Sequence, residues 1–179
     1  MKMRLYHYRH GGTVRAKLSA RYCLGDESAQ FGPGICEAPT LVWTIGTAAT
    51  GHPLLEVDIE LDQRREWVLR CDRVDFPPGG TAYRHTHPGP GIRCLLHGSI
   101  EIDAEGRRSV FGPLQPWFEA GPEPVRARAS GTEPTAFVRV MLIPARWKGQ
   151  RTIRYVDPAD AEKPKLQSAT IFFDQEVDF

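Results

Sequence analysis

The chain has 179 residues, of which 41% are hydrophobic and 25% charged, so it can bury the core of one ordinary domain and is not typical of a disordered protein. Its 23 Lys and Arg residues against 22 Asp and Glu give a formal charge of +1, without the basic excess that nucleic-acid or membrane-surface binding requires. No apolar run reaches the length of roughly 18 residues that predicts a membrane-spanning helix.

The first ten residues and the cysteines indicate the cellular compartment of the protein. Residues 1–10 are basic and aromatic and lack the apolar centre of a secretory signal. The four cysteines are scattered and form no CxxC pair, which argues against a zinc ribbon and against a disulfide framework. We therefore expect a cytoplasmic protein with buried or incidental thiols.

The first 50 residues are the least regular part of the chain. Short strands are predicted at residues 4–8 and 41–45, with a stretch rich in Gly, Ala and Pro between them. We interpret residues 1–50 as an arm that packs on a core. The core itself is expected over residues 51–145, followed by a C-terminal extension over residues 146–179.

From residue 55 onward the pattern is that of β-strands. Apolar and acidic residues alternate over 55–61, and residues 136–143 are apolar at nearly every position, which predicts a central strand. One helix start is visible, with Asp157 as the cap and Pro158 at the first position. Short strands separated by Gly and Pro turns predict an all-β sandwich or barrel. Further strands are predicted at 67–71, 74–76, 92–96, 100–103, 125–129 and 170–173.

The strongest candidate for chemistry is the HxH pair of His85 and His87. Residues two apart on a strand project to the same side, so Tyr83, His85 and His87 are predicted to share one face. Two imidazoles on one face can bind a transition metal together. They can equally be two partly buried histidines that hydrogen-bond to the backbone.

The sequence around this pair resembles the first motif of the cupin family, G(x)5HxH(x)3–4E(x)6G. Gly79 or Gly80 opens the motif, His85 and His87 supply the HxH, and Gly98 closes it. The second cupin motif is matched only loosely, between Gly112 and Ser130. The resemblance implies a jelly-roll β-barrel, usually dimeric, with a ligand pocket inside. It also implies a metal, and we expect one divalent ion (Fe, Mn, Ni or Zn) if the site is occupied.

Two ligand positions of that family depart from the pattern. The motif glutamate falls on Gly91, and the histidine of the second motif falls near Arg126. His85 and His87 therefore need another ligand, and we assign Glu119 as the candidate. The alternative is a pocket that has lost its metal.

The replacements suggest a pocket for an anion. If Arg93 and Arg126 face inward, their guanidinium groups suit a carboxylate or a phosphate. The opposite alternation, with Val125, Ala127 and Ala129 inward, leaves Arg126 in solvent. The same ambiguity applies to Arg93 and its apolar neighbours. We add Trp117 and Tyr83 to the candidate ligand-binding residues.

These features predict a small-molecule cupin with its pocket centred on the HxH pair. If it is an enzyme, we expect an oxygenase, isomerase or decarboxylase that acts on a small organic acid. The alternative is a non-catalytic binding or sensing module. We expect a homodimer, because the exposed edges of a sandwich invite pairing, and we expect no nucleic-acid or membrane partner.

Overall fold

The computed structural model describes residues 1–62 and 64–179, and β-strands account for most of them. The all-β prediction is confirmed. No helix in the described residues has the length and apolar character needed to cross a membrane. The strands, in chain order, are β1 (Lys2–Tyr8), β2 (Gly12–Val14), β3 (Ser19–Cys23), β4 (Ala29–Phe31), β5 (Gly34–Cys36), β6 (Thr40–Ile45), β7 (Leu55–Asp58), β8 (Trp67–Phe76), β9 (Thr81–Thr86), β10 (Gly91–His97), β11 (Ile100–Ala104), β12 (Arg107–Phe111), β13 (Pro116–Glu119), β14 (Val125–Ala129), β15 (Thr135–Pro144), β16 (Arg154–Tyr155) and β17 (Ser168–Val177).

Three five-stranded antiparallel sheets make up the body of the molecule. The first sheet has the order β4-β3-β6-β1-β7, the second β13-β10-β15-β8-β17, and the third β12-β11-β14-β9-β16. The second sheet lies between the other two, because apolar residues on its two faces belong to two different cores. Every residue of β15 is buried, as its continuous apolar sequence predicted for a central strand.

One core joins the first sheet to the second. Leu5 and Trp43 from the first sheet pack with Ile92 and Val138 from the second, and all four are fully buried. The indole Nε1 of Trp43 also donates a hydrogen bond to the carbonyl oxygen of Ile92 at 3.1 Å. Four strands of residues 1–50 thus form the first sheet with β7, whereas β2 and β5 pair with each other in a separate two-stranded sheet.

The other core lies between the second and third sheets. Phe76 and Phe137 from the second sheet face Ala82, Ile102 and Ala127 from the third. This core is incomplete, because a cavity opens among the same side chains.

The C-terminal residues cover one edge of the second sheet. Asp157 caps a short helix, α1 (Pro158–Ala161), by accepting a hydrogen bond from the Ala159 N–H at 2.9 Å, as the sequence predicted. Strand β17 then pairs with β8 along its length. Residues from 165 to 171, which include the start of β17, contribute to the wall of the cavity.

Candidate functional site

A β-bulge in β9 determines which residues of the HxH segment face the cavity. Val125 of β14 lies opposite His85, whereas Ala127 lies opposite Ala82, so β9 has an extra residue between these pairs. The inward residues are therefore Ala82, His85 and His87. The prediction that Tyr83 shares their face is wrong, because the bulge shifts the alternation. Tyr83 lies outside the cavity, where the Lys163 ammonium sits 4.6 Å from its ring centre.

The two histidines meet at their Nε2 atoms inside the cavity. Only 4% of His85 and 5% of His87 is exposed, and their Nε2 atoms lie 3.1 Å apart. His85 Nδ1 is 2.6 Å from the Tyr83 carbonyl oxygen, which can only accept, so Nδ1 carries the proton and Nε2 of the neutral ring offers a lone pair. Burial lowers the pKa of His85 and, more strongly, that of His87. Both rings are therefore neutral near pH 7.

A carboxylate reaches the histidine pair from β13, the strand that pairs with β10 at Gly91. Glu119 on β13 lies directly opposite Gly91 on β10, and its Oε2 is 3.5 Å from His87 Nε2. Its Oε1 accepts a hydrogen bond from Trp117 Nε1 at 2.8 Å. Glu119 thus brings to the site the acidic group that the cupin motif would place at Gly91.

Arg93 faces the cavity, which is the inward of the two orientations that the sequence of its strand allowed. Its side chain is 1% exposed, and Nη2 lies 2.7 Å from Glu119 Oε2. Nη1 donates to the Gly91 carbonyl oxygen at 2.6 Å. Burial lowers the pKa of Arg93 to about 10, against the opposing effect of Glu119. Its neighbours Ile92 and Cys94 are buried too, in the core on the other side of the sheet.

Arg126 does not belong to this site. Val125, Ala127 and Ala129 are buried, whereas Arg126 is exposed on the opposite face of β14. The expectation that Arg126 lines the pocket is therefore wrong, and the simple alternation of apolar residues along β14 is correct. The inward position of β14 opposite His85 is occupied by Val125, whose side chain has no atom that could bind a ligand by hydrogen bonding or coordination.

Two further ion pairs in the cavity wall were missed at the sequence level. Arg139 on β15 binds Asp72 on β8 through two hydrogen bonds of 2.6 and 2.9 Å. Arg70 on β8 binds Asp174 on β17, with Arg70 Nε 2.6 Å from Asp174 Oδ1. The available signal was the presence of charged residues inside otherwise apolar central strands, where an unpaired charge would be costly.

The cavity enclosed by these groups has a volume of about 360 Å³. Its polar lining includes the two histidines with Glu119, Arg93 and Arg139. Its apolar lining includes Val74, Phe76, Ile102, Trp117, Val125 and Phe137. Trp117 thus lies in the cavity, stacked on Phe111 with a distance of 5.0 Å between ring centres.

The two Nε2 atoms lie close enough together to bind one metal ion, but the described residues place no complete set of further ligands around that point. An ion at about 2.1 Å from each Nε2 would join atoms 3.1 Å apart at an angle of roughly 95°. Among residues 1–62 and 64–179, no three His, Cys, Asp or Glu side chains form a group that could hold a metal. Arg93 and Trp117 already bind Glu119, so the metal set of His85, His87 and Glu119 stays a prediction.

No protein-family model and no curated protein matches the chain. Solved structures that are similar to it include the polyketide cyclase RemF from Streptomyces resistomycificus, at 21% identity over 57% of this chain and 72% of that chain, with a TM-score of 0.41. A cupin 2 domain-containing protein from Halorhodospira halophila is 16% identical over 57% of this chain and 75% of that chain, with a TM-score of 0.42. An RmlC-like cupin from Shewanella frigidimarina is 18% identical over 44% of this chain and 68% of that chain, with a TM-score of 0.38.

Proposed function

We propose that this chain is a small-molecule cupin, with its ligand in the cavity between the second and third sheets and the pair of His85 and His87 as its chemical centre. The observation that carries the proposal is the meeting of the two neutral imidazoles and Glu119 in the wall of a cavity of about 360 Å³. Cavities of this size with an apolar wall and a few convergent polar groups are typical of small-molecule sites.

The charges in the cavity restrict the chemistry of the ligand. The three inward arginines are each paired with a carboxylate, as Arg70–Asp174, Arg93–Glu119 and Arg139–Asp72. Among the residues that the structure describes, the interior therefore offers no unpaired cation for a second anion. It suits an apolar body, with one neutral oxygen group that hydrogen-bonds to the histidine end.

An organic acid fits this scheme if its carboxylate stays at the cavity mouth. Lys165 and Arg151 line the cavity there, and within the described part of the chain neither pairs with an acidic side chain. We accordingly propose a small organic acid with an apolar body. The carboxylate lies near Lys165, and the opposite end reaches His85.

A binding assay with a matched pair of variants tests this proposal. Ala127→Leu extends a side chain into the cavity, whereas Arg126→Ala changes the next residue on the outer face. Aromatic and aliphatic carboxylic acids would be screened by thermal shift, since a ligand at 100 times its Kd stabilises by about 2.7 kcal/mol. We expect A127L to lose binding and R126A to keep it. Equal binding by wild type and A127L would overturn the proposal.

A divalent metal on His85 and His87 is the second candidate, favoured by the separation of their Nε2 atoms. With a cation there, both rings would carry the proton on Nδ1, which for His87 is a buried nitrogen without a well-formed hydrogen bond. Bound at this place, the metal would supply Lewis-acid or oxygen-activating chemistry.

Elemental analysis distinguishes the metal-bound form from a metal-free binding module. The protein would be purified without chelator, as wild type and as the double variant His85→Ala/His87→Ala. Metal at one equivalent in the wild type and none in the variant supports the metal centre. A metal-free wild type that still binds organic acids identifies a binding module.

The homodimer and the cytoplasmic location stay predictions. The edge strand β12 is exposed along most of its length, with 67% of Val110 accessible, and pairing at such an edge would cover it. The molar mass in solution, measured by light scattering during gel filtration, checks the dimer.

A further inference from the structure

A second cleft lies on the far side of His87 from the inner cavity. It has a volume of about 340 Å³ and shares His87 and Thr152 with the inner cavity as walls. Three arginines line it, Arg65, Arg146 and Arg154, and the described residues that form its lining include no Asp or Glu. The cleft therefore concentrates positive charge beside the proposed small-molecule site.

Two of these arginines have no carboxylate partner. Arg65 pairs with Asp62 at 3.2 Å, but neither Arg146 nor Arg154 forms an ion pair within the described part of the chain. The guanidinium carbon of Arg154 instead lies 4.4 Å from the ring centre of Trp147. Stacking on the indole fixes the plane of Arg154 and leaves its N–H groups free to donate.

The wall of the same cleft holds a buried donor without an acceptor. Trp147 is 8% exposed, and its Nε1 makes no hydrogen bond among the described residues. Because that nitrogen is closed to solvent, the indole contributes its ring to the cleft wall and its N–H reports on the cleft from behind the wall.

We propose that this cleft binds a small oxyanion, a phosphate or carboxylate group, held by Arg146 and Arg154 beside the Trp147 indole. An oxyanion supplies the acceptor oxygens that these groups lack, and guanidinium groups bind it in a forked geometry. Phosphate is favoured over a carboxylate, because its additional oxygens can engage both arginines together. The site is separate from the inner cavity and does not depend on the proposed ligand there.

The indole N–H signals provide a direct readout of the site. The protein has four tryptophans, so a ¹H–¹⁵N spectrum shows four indole resonances, and the Trp147→Phe variant identifies one of them. Sodium phosphate and sodium acetate would be titrated at constant ionic strength, with sodium chloride as the control. We expect the Trp147 resonance to shift saturably with phosphate and to respond more weakly to acetate.

Two double variants with the same change in charge complete the test. Arg146→Ala/Arg154→Ala removes the proposed ligands, and Arg126→Ala/Arg128→Ala removes two exposed arginines from the outer face of β14. We expect the first pair to weaken phosphate binding by about tenfold or more and the second to leave it nearly unchanged. A Trp147 resonance that moves with neither anion, or an equal loss in both double variants, would overturn the proposal.

Discussion

Arg139 and Asp72 lie directly opposite each other on the neighbouring strands β15 and β8, and their side chains form a forked pair of hydrogen bonds. Both residues line the cavity, although each belongs to a strand whose other residues are mostly apolar. Arg139 Nη2 also donates to the Thr152 hydroxyl at 3.3 Å. The pair therefore links the second sheet to Thr152, a residue that lines both the inner cavity and the cleft that contains Arg146 and Arg154.

Removal of one member of this pair is expected to cost more than removal of both. Asp72→Ala leaves the buried Arg139 guanidinium without its counter-charge, at a cost of about 3–5 kcal/mol. The double variant Asp72→Leu/Arg139→Met places apolar groups of similar size at the same positions and should cost much less. Urea unfolding at pH 7 measures both. A double variant less stable than D72A would contradict this account of the pair.

Gly91 is expected to tolerate no side chain, because β15 lies against it. A Cβ at Gly91 would lie 2.6 Å from the Val140 carbonyl oxygen and 2.6 Å from Met141 Cγ, both on the central strand β15. Gly91→Ala should therefore destabilise the fold by about 1–3 kcal/mol through overpacking. Gly131→Ala is the matched control, because a Cβ there meets nothing within 4 Å. Equal stability of the two variants in urea would show that β10 and β15 can separate locally.

The fold was predictable from the sequence wherever one face of a strand is apolar. The alternation of Val125, Ala127 and Ala129 identifies the inward face of β14, and the continuous apolar run at 136–143 identifies the central strand. The first 50 residues were less informative. Their strands are short and irregular in pattern, and their role as a third layer depends on long-range packing against Ile92 and Val138.

The site was predictable only in part, because a bulge and a cross-strand neighbour carry no local signal. His85 and His87 face inward as expected, but the extra residue in β9 turns Tyr83 away from them. Glu119 reaches the histidines because it lies across from Gly91, a pairing that depends on the register of β13 and β10. Spacing along the chain cannot reveal that register without the partner strand.

The Trp43 indole is expected to hold the first and second sheets together. Its Nε1 donates to the Ile92 carbonyl oxygen across the buried interface, so Trp43→Phe removes a hydrogen bond between the two sheets, at about 0.5–1.5 kcal/mol. Trp147→Phe is the control, because the Trp147 Nε1 makes no hydrogen bond in the described structure. In a buffer without phosphate or carboxylate, thermal unfolding should separate the two variants clearly. Equal losses would indicate that ring packing rather than the hydrogen bond determines the cost.

The ion pair between Arg70 and Asp174 is expected to make the attachment of β17 dependent on pH. Burial alone would raise the pKa of Asp174, but hydrogen bonds from Arg70 and from the Gly149 N–H outweigh it and lower the pKa below 3.8. Because the folded-state pKa lies below the unfolded one, the ionised carboxylate stabilises the fold above about pH 4. This contribution is lost as the pH falls through the folded-state value.

The variant Asp174→Asn tests this dependence. At pH 7 it should lose about 3 kcal/mol, the lower end for a broken buried pair, since Arg70 keeps its hydrogen bonds to the carbonyl oxygens of Gln150 and Trp147. The difference from wild type should shrink as the pH is lowered from 5 toward 3, as measured by urea unfolding at each pH. Asp178→Asn, at an exposed position after β17, should follow the wild type throughout. A difference between D174N and wild type that stays constant from pH 7 to pH 3 would show that the charge on Asp174 is not what holds β17 in place.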